Sequence, residues 1–143
     1  MAERIDTKCA DELDAKLQAK EPRLSKSIRT YIRRLKESGK WDEAVRLREA
    51  MVTRRNTRQK LVADELHKTL AEVICTEDPV KEAAGEIKII WLMNAANIIP
   101  TSQERNTEII EILESRPPEL QPQIEALMPR IRDEVEPLLP TAG

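Results

Sequence analysis

The stretch from Trp41 to Thr76 contains neither proline nor glycine, and this constrains the fold more than any other feature of the sequence. Apolar residues recur along it at spacings of three and four, as they do on one face of an α-helix. These positions are Ala44, Leu47, Met51, Val62, Leu66, Leu70 and Val73. One helix over this stretch would have about 34 residues and a length of about 50 Å. The sequence therefore predicts a long helix in the middle of the chain.

Polar and basic side chains interrupt the apolar line in the middle of this stretch. Arg55, Arg58 and Gln59 occupy positions where the helical period would place apolar residues. Either the helix breaks near Thr53 to Thr57, or its middle lies in a groove that requires positive charge. Because no breaker residue is present, we favour a continuous helix.

Two shorter helices precede the long one. The first is predicted over residues 7 to 20 and ends before Pro22, because the residue before a proline disfavours helical backbone. Ser25 is a suitable N-cap for the second helix, which extends to Ser38, and Gly39 is a suitable residue just beyond its end. We expect the second and third helices to fold against each other as an αα-hairpin.

Two helices are predicted after the long one. Asp78 and Pro79 suit the N-cap and first turn of a fourth helix, which extends to about Asn97. This helix is apolar on nearly all sides, as is typical of the buried centre of a bundle. Thr101 and Glu104 form a capping box for a fifth helix. Its buried side is expected to comprise Ile109, Ile110, Ile112 and Leu113.

Proline recurs in the last segment, at positions 117, 118, 122, 129, 137 and 140. A helical apolar line nevertheless continues through it, formed by Leu120, Ile124, Leu127, Ile131, Val135 and Leu138. An interior proline costs about 3 kcal/mol or more in a regular helix. We therefore expect two short helices, or one helix kinked at Pro129.

Aromatic content supports an all-α fold. The chain has two tryptophans, one tyrosine, no phenylalanine and three glycines, whereas β-rich domains use more aromatics and more turn glycines. We predict one all-α domain over residues 1–143, a compact bundle of five to six helices. Helices 2 and 3 would form a basic αα-hairpin, helix 4 would be buried at the centre, and the C-terminal segment would be kinked by proline.

Few side chains suit catalysis or metal binding. His67 is the only histidine, and Asp64 lies three residues before it. This spacing resembles half of a di-iron carboxylate site. A single histidine, however, completes neither a di-iron site nor a zinc site. Cys9 and Cys75 belong to no CxxC pair and are interpreted as reduced thiols, with a single disulfide as the alternative. No glycine-rich phosphate loop is present. We expect no enzyme activity, no metal, no cofactor and no small-molecule substrate.

The sequence shows no targeting or membrane segment. Its N-terminus lacks an apolar signal region, and the longest apolar tract, Ile89 to Met93, is five residues long. A membrane span needs about 20 apolar residues. We therefore expect a cytoplasmic protein that does not enter a membrane.

Charge is distributed unevenly along the chain. Residues 20 to 60 carry a net charge of +9, whereas the remainder carries −11. A basic block of this kind favours an anionic partner, nucleic acid first among them. Because only Tyr31 lies nearby to stack on a base, we expect contact with the backbone and no base-specific recognition. The predicted binding residues are Lys26, Arg29, Arg33, Lys36, Arg54, Arg55, Arg58 and Lys60.

Residues 39 to 51, GKWDEAVRLREAM, have the pattern of a short helical hairpin. The residues that carry the pattern are Trp41, Asp42, Ala44, Leu47, Arg48 and Glu49. The stretch resembles the motif through which bacterial nucleotide-excision-repair subunits pair, and it is equally similar to one tetratricopeptide or pentatricopeptide hairpin. The resemblance covers about a tenth of the chain. It implies a protein-binding hairpin.

These features together favour a non-catalytic helical subunit of a larger nucleoprotein assembly. It would contact the backbone of RNA or single-stranded DNA, and neighbouring protein subunits would be its other partners. One alternative is that the basic residues pair with acids of the chain itself, such as Glu37, Glu43, Glu49 and the acidic fifth helix. Another is a protein–protein adaptor that docks an acidic partner without nucleic acid.

Overall fold

The computed structural model describes residues 8–37 and 57–139, and all regular structure within these ranges is helical. Short 3₁₀ turns at Glu21–Arg23 and Glu136–Leu138 follow the first and last helices. The six α-helices are α1 (Lys8–Lys20), α2 (Lys26–Glu37), α3 (Thr57–Cys75), α4 (Pro79–Ala95), α5 (Ser102–Glu114) and α6 (Gln121–Val135). The all-α prediction is therefore confirmed for the described residues.

Helices α4 and α5 begin at the capping residues that the sequence indicated. Asp78 Oδ1 accepts a hydrogen bond from the backbone N–H of Val80 at 2.9 Å. Thr101 Oγ1 accepts one from the backbone N–H of Glu104 at 3.1 Å. Each bond satisfies an amide that has no partner within its helix, so local sequence sets both starts.

The end of α4 is set by Asn97. Its φ of 65° lies in the left-handed region, which asparagine adopts more readily than most residues. The N–H of Asn97 donates to the Asn94 carbonyl at 3.1 Å, and the N–H of Ile98 donates to the Met93 carbonyl at 2.9 Å. This pair of bonds is a Schellman motif. It ends the helix before Pro100 is reached.

Helix α4 is the centre of the bundle, as the sequence predicted. It packs against α2, α3, α5 and α6. Its buried residues are Ala83, Glu86, Ile87, Ile89, Ile90, Leu92, Met93 and Ala95. Four of the other helices thus pack directly on α4, whereas α1 packs against α3.

The apolar lines of the outer helices are mostly buried. In α3 all four predicted positions within its range, Val62, Leu66, Leu70 and Val73, are buried. In α5 the prediction is wrong for Ile110, which is 51% exposed, although Ile109 and Ile112 are buried. Ile110 lies about 200° around the helix from Ile112, and α5 packs through one narrow side. The side chain therefore points away from that side.

The C-terminal segment forms a single helix and not two. Pro129 lies inside α6 and is exposed, whereas Ile124 and Ile131 are buried. The proline is thus placed on the solvent side of the helix. A kink at Pro129 stays a prediction.

Residues 38–56 lie outside the described ranges. The continuity of the third helix, the αα-hairpin with α2 and the resemblance of residues 39 to 51 all depend on this segment. They stay predictions.

Candidate nucleic-acid interface

Helix α2 has one buried side, formed by four residues at helical spacing. Leu24, Ile28, Tyr31 and Ile32 are buried, and α2 packs against α4. Ser25 Oγ accepts a hydrogen bond from the backbone N–H of Ile28 at 3.3 Å, which is the N-cap that the sequence predicted. Burial of one side leaves the other side of α2 available to its charged residues.

Four predicted binding residues form a stripe along α2, and we refer to Lys26, Arg29, Arg33 and Lys36 as the α2 stripe. At 100° per residue they lie within about 80° of one another. Lys26 and Arg33 are exposed, whereas Arg29 and Lys36 are half-buried. The stripe is about 15 Å long at 1.5 Å per residue. The structure therefore places these four side chains on one surface.

Acidic neighbours partly neutralise both ends of the α2 stripe. Lys36 Nζ lies 3.0 Å from Asp14 Oδ1 of α1. At the other end, burial raises the pKa of Glu108 in α5, and the positive charge of Lys26 lowers it. The interpretation that these cations pair with acids of the same chain therefore has support at Lys26 and Lys36.

The middle of the stripe has no such compensation. Within residues 8–37 and 57–139, neither Arg29 nor Arg33 has an ion-pair partner. Arg34 is also exposed. It lies about 100° around the helix from Arg33, outside the α2 stripe. Sequence reasoning missed Arg34, although its position directly after Arg33 could have indicated it. The guanidinium groups of these residues are the uncompensated positive charge of α2.

The other four predicted residues are not assigned to this surface. Arg54 and Arg55 lie outside the described ranges. Arg58 and Lys60 belong to the first turn of α3, and their side chains lie outside the described part of the structure. The structure thus brings together the four residues of α2, and the contribution of the third helix stays a prediction.

Tyr31, the one aromatic residue near the basic block, does not belong to the candidate interface. Its side chain is 9% exposed and packs in the core. Burial raises its pKa to about 12. Helical periodicity places Tyr31 with Ile28 and Ile32 on the side that contacts α4. A ring held there in the core cannot stack on a base.

A buried ion pair joins α4 to the turn that follows α5. Glu86 of α4 is 1% exposed, and its Oε2 lies 2.5 Å from Nη2 of Arg116. Burial raises the pKa of Glu86, while Arg116 and a hydrogen bond from the backbone N–H of Ser25 lower it. Ser25, the N-cap of α2, therefore lies close to this ion pair.

Two further charges extend this pair, and we refer to Lys20, Glu82, Glu86 and Arg116 as the buried charge network. Lys20 Nζ lies 3.1 Å from Glu82 Oε2 and donates to the Thr76 carbonyl at 2.6 Å. Glu82 Oε1 lies 3.8 Å from Arg116 Nη1. Sequence reasoning missed this network. One sequence signal was available. Glu86 lies four residues before Ile90, so its carboxylate falls on an apolar face of α4 and indicates a buried charge that needs a partner.

Among the described residues, neither His67 nor Cys75 belongs to a metal-binding cluster. The Nδ1 of His67 donates to the Ala63 carbonyl at 2.9 Å, so this nitrogen carries a proton. Cys75 has an exposed free thiol. Across residues 8–37 and 57–139, no cluster of three or more histidine, cysteine or acidic side chains could hold a metal ion.

No helix in the described part of the chain is both long enough and apolar enough to cross a membrane. Comparison of the chain with known protein families, with curated proteins and with solved structures gave no match.

Proposed function

We propose that this protein is a non-catalytic subunit of a nucleoprotein assembly and contacts the backbone of RNA or single-stranded DNA through α2. The observation that carries the proposal is that Arg29 and Arg33 have no acidic partner among the described residues and lie on a helix whose opposite side is buried. Lys26, Lys36 and Arg34 extend this positive surface. The predicted residues of the third helix, Arg54, Arg55, Arg58 and Lys60, would enlarge it.

Arginine is well suited to this contact. Its planar guanidinium has five N–H donors and binds phosphate oxygens in pairs. With one phosphate per 3.4 Å of a stacked strand, a stripe about 15 Å long spans about four phosphates. Because Tyr31 is buried, α2 lacks an aromatic platform for bases. Binding would therefore be insensitive to base sequence and strongly dependent on salt.

Charge reversal on α2 tests the proposal. We expect Arg29→Glu/Arg33→Glu to weaken strongly a salt-dependent gel shift of a 20-nucleotide single-stranded RNA, and additional reversal of Arg55 and Arg58 to abolish it. For the residual binding, the plot of log affinity against log salt should become less steep, and the magnitude of its slope should decrease by about 1.4. Each lost contact to a single strand contributes about 0.7. Far-UV circular dichroism should be unchanged.

A matched control separates local contact from overall charge. Lys81→Glu/Arg130→Glu changes the net charge by the same amount at exposed positions of α4 and α6. This control should bind the RNA as the parent protein does. Equal binding by the α2 variant and the parent would contradict the proposal, as would equal weakening by both variants.

A protein–protein adaptor is the second candidate, and the ion pair between Lys36 and Asp14 favours it. This pair shows that the stripe can receive carboxylates, so an acidic protein could occupy the same surface. Purification at low and high salt distinguishes the two functions. An elevated ratio of absorbance at 260 to 280 nm at low salt supports nucleic acid. A clean protein spectrum together with one acidic co-purifying protein supports the adaptor.

A further inference from the structure

A groove of about 660 Å³ lies between α3, α4 and α6. Its apolar surface includes Val73 of α3, Ala84 of α4, and Leu127 and Ile131 of α6. The volume is in the range of protein binding sites. None of its lining residues belongs to the α2 stripe, so the groove is a separate surface.

The edges of the groove carry positive charge. Lys68, Lys81 and Arg130 line it, are exposed, and have no ion-pair partner among the described residues. Lys88 also lines it but is already engaged, since its Nζ lies 3.1 Å from Glu65 Oε2 and 3.7 Å from Glu134 Oε1. The three available cations thus line the same groove as the apolar residues.

One buried polar group at the groove has an unfilled hydrogen-bonding capacity. Thr69 lines the groove and is 1% exposed. Its Oγ1 makes no hydrogen bond with any residue in the described ranges. Buried hydroxyl groups normally have a partner. Thr69 therefore places beside the groove a hydroxyl whose hydrogen-bonding capacity is unfilled among the described residues.

We propose that this groove docks an acidic amphipathic helix of a neighbouring protein subunit. The stretch of α4 from Lys81 to Lys88 is about 10 Å long, which matches about two turns of a docked helix. Aliphatic side chains of that helix at positions i, i+4 and i+7 would pack on the half-buried Ala84 and Leu127. Its flanking carboxylates would meet Lys68, Lys81 and Arg130. Docking of this protein partner does not require that α2 bind nucleic acid.

Charge within the groove favours a peptide over a nucleic acid. Glu72 and Glu134 also line it. A nucleic acid carries a negative charge at every nucleotide and would be repelled by these carboxylates. An amphipathic helix can place its carboxylates at the cationic edges alone and present apolar side chains elsewhere.

Methyl NMR with a defined probe tests the proposal. The probe is a 14-residue peptide with leucines at i, i+4 and i+7 flanked by glutamates, compared with the same peptide carrying lysines in place of the glutamates. We expect the glutamate peptide to cause saturable shifts in the methyl signals of Val73, Leu127 and Ile131. The lysine peptide should cause none.

Two variants with equal charge change locate the interaction. Lys81→Glu/Arg130→Glu should weaken binding of the glutamate peptide about tenfold, as expected from the loss of two exposed charge pairs. Arg29→Glu/Arg33→Glu should leave its affinity within about twofold, although the same variant should lose the single-stranded RNA. The two surfaces are thus tested independently, and one proposal can fail while the other holds.

Several results would overturn the groove proposal. These are the absence of groove shifts with 1 mM glutamate peptide, equal shifts with the lysine peptide, or equal weakening by both variants. Shifts of the same methyl groups on addition of the RNA would assign the groove to nucleic acid. Shifts that grow with protein concentration alone would assign it to a second copy of this chain.

Discussion

The Nη2 of Arg116 lies 2.5 Å from Oε2 of Glu86, and this contact joins the turn between α5 and α6 to the buried side of α4. The Glu86 side chain is 1% exposed and that of Arg116 is 15% exposed. Lys20 and Glu82 continue the network to the end of α1. A small apolar core thus contains charges that must be matched to one another, and this matching sets the relative positions of several helices.

Truncation of Arg116 should destabilise the protein strongly. Arg116→Met leaves Glu86 buried without its cation, and loss of one partner of a buried pair typically costs 3–5 kcal/mol in the free energy of unfolding. Urea unfolding followed by circular dichroism at 222 nm would measure the change.

Two variants serve as controls for Arg116→Met. Arg132→Met removes a 57% exposed arginine that pairs with Asp133, and should cost less than about 1 kcal/mol. The double variant Glu86→Leu/Arg116→Met removes both charges and should be more stable than Arg116→Met alone. A cost for Arg116→Met no larger than that for Arg132→Met would show that the pair does not stabilise the fold.

The effect of Arg116→Met should depend on pH. Burial raises the pKa of Glu86 above its ordinary value of 4.5, so the folded protein holds this proton more readily than the unfolded chain does. The contribution of Glu86 to stability is therefore greatest at low pH and declines as pH rises through its folded pKa. Loss of Arg116 raises that pKa further.

Unfolding at two pH values would measure this dependence. The stability difference between the parent protein and Arg116→Met should be large at pH 7.5 and smaller at pH 4.5, where Glu86 takes up a proton in the variant. Comparison at each pH cancels the titration of other carboxylates. A difference that is equal or larger at pH 4.5 would contradict the assignment.

Gly85 should be required by the close approach of α3 and α4. A Cβ at this position would lie 2.4 Å from Cγ2 of Val73. Gly85→Ala should therefore destabilise the protein by about 1–3 kcal/mol through overpacking, although alanine alone favours a helix by about 1 kcal/mol.

Removal of the opposing methyl group tests this cause. In a Val73→Ala background, Gly85→Ala should be neutral or stabilising, because the clashing Cγ2 is absent. A double-mutant cycle on urea unfolding measures the coupling between the two positions. Additive effects of the two substitutions would show that the contact does not limit the helix packing.

Tyr31 should ionise late, since burial raises its pKa to about 12. It is the only tyrosine in the chain, so phenolate absorbance at 295 nm reports this residue alone. The midpoint should lie near 12 in the folded protein and near 10 in 8 M urea. Stability should correspondingly decline as pH rises above 10. A folded-state midpoint near 10 would place Tyr31 at the surface, where it could contact a nucleic acid.

Much of the secondary structure could be predicted because its signals are local. Asp78 and Thr101 cap the helices that follow them, and a cap acts on amides two or three residues away. The apolar run of α4 is also a local signal, and it indicated that this helix lies at the centre of the bundle. Ile110 was placed wrongly because helical spacing shows which residues share a face, but not how wide a face the neighbouring helices cover.

The candidate interface was predictable only in part. The spacing of Arg29 and Arg33 on α2 follows from helical periodicity, so the sequence located the stripe. The partner of Lys36 did not follow, because Asp14 lies 22 positions earlier and on another helix. Arg54 and Arg55 lie outside the described ranges, and their part in the interface stays a prediction.

For the described residues, the sequence by itself determined the N-caps of α2, α4 and α5 and the basic side of α2, because each depends on residues within a few positions of one another. Tertiary structure decided which charges remain uncompensated, since an ion pair such as Glu86 with Arg116 joins residues 30 positions apart. It also decided that Gly85 faces Val73 and that α3, α4 and α6 enclose a groove. These features depend on how the helices pack, and no local pattern encodes that arrangement.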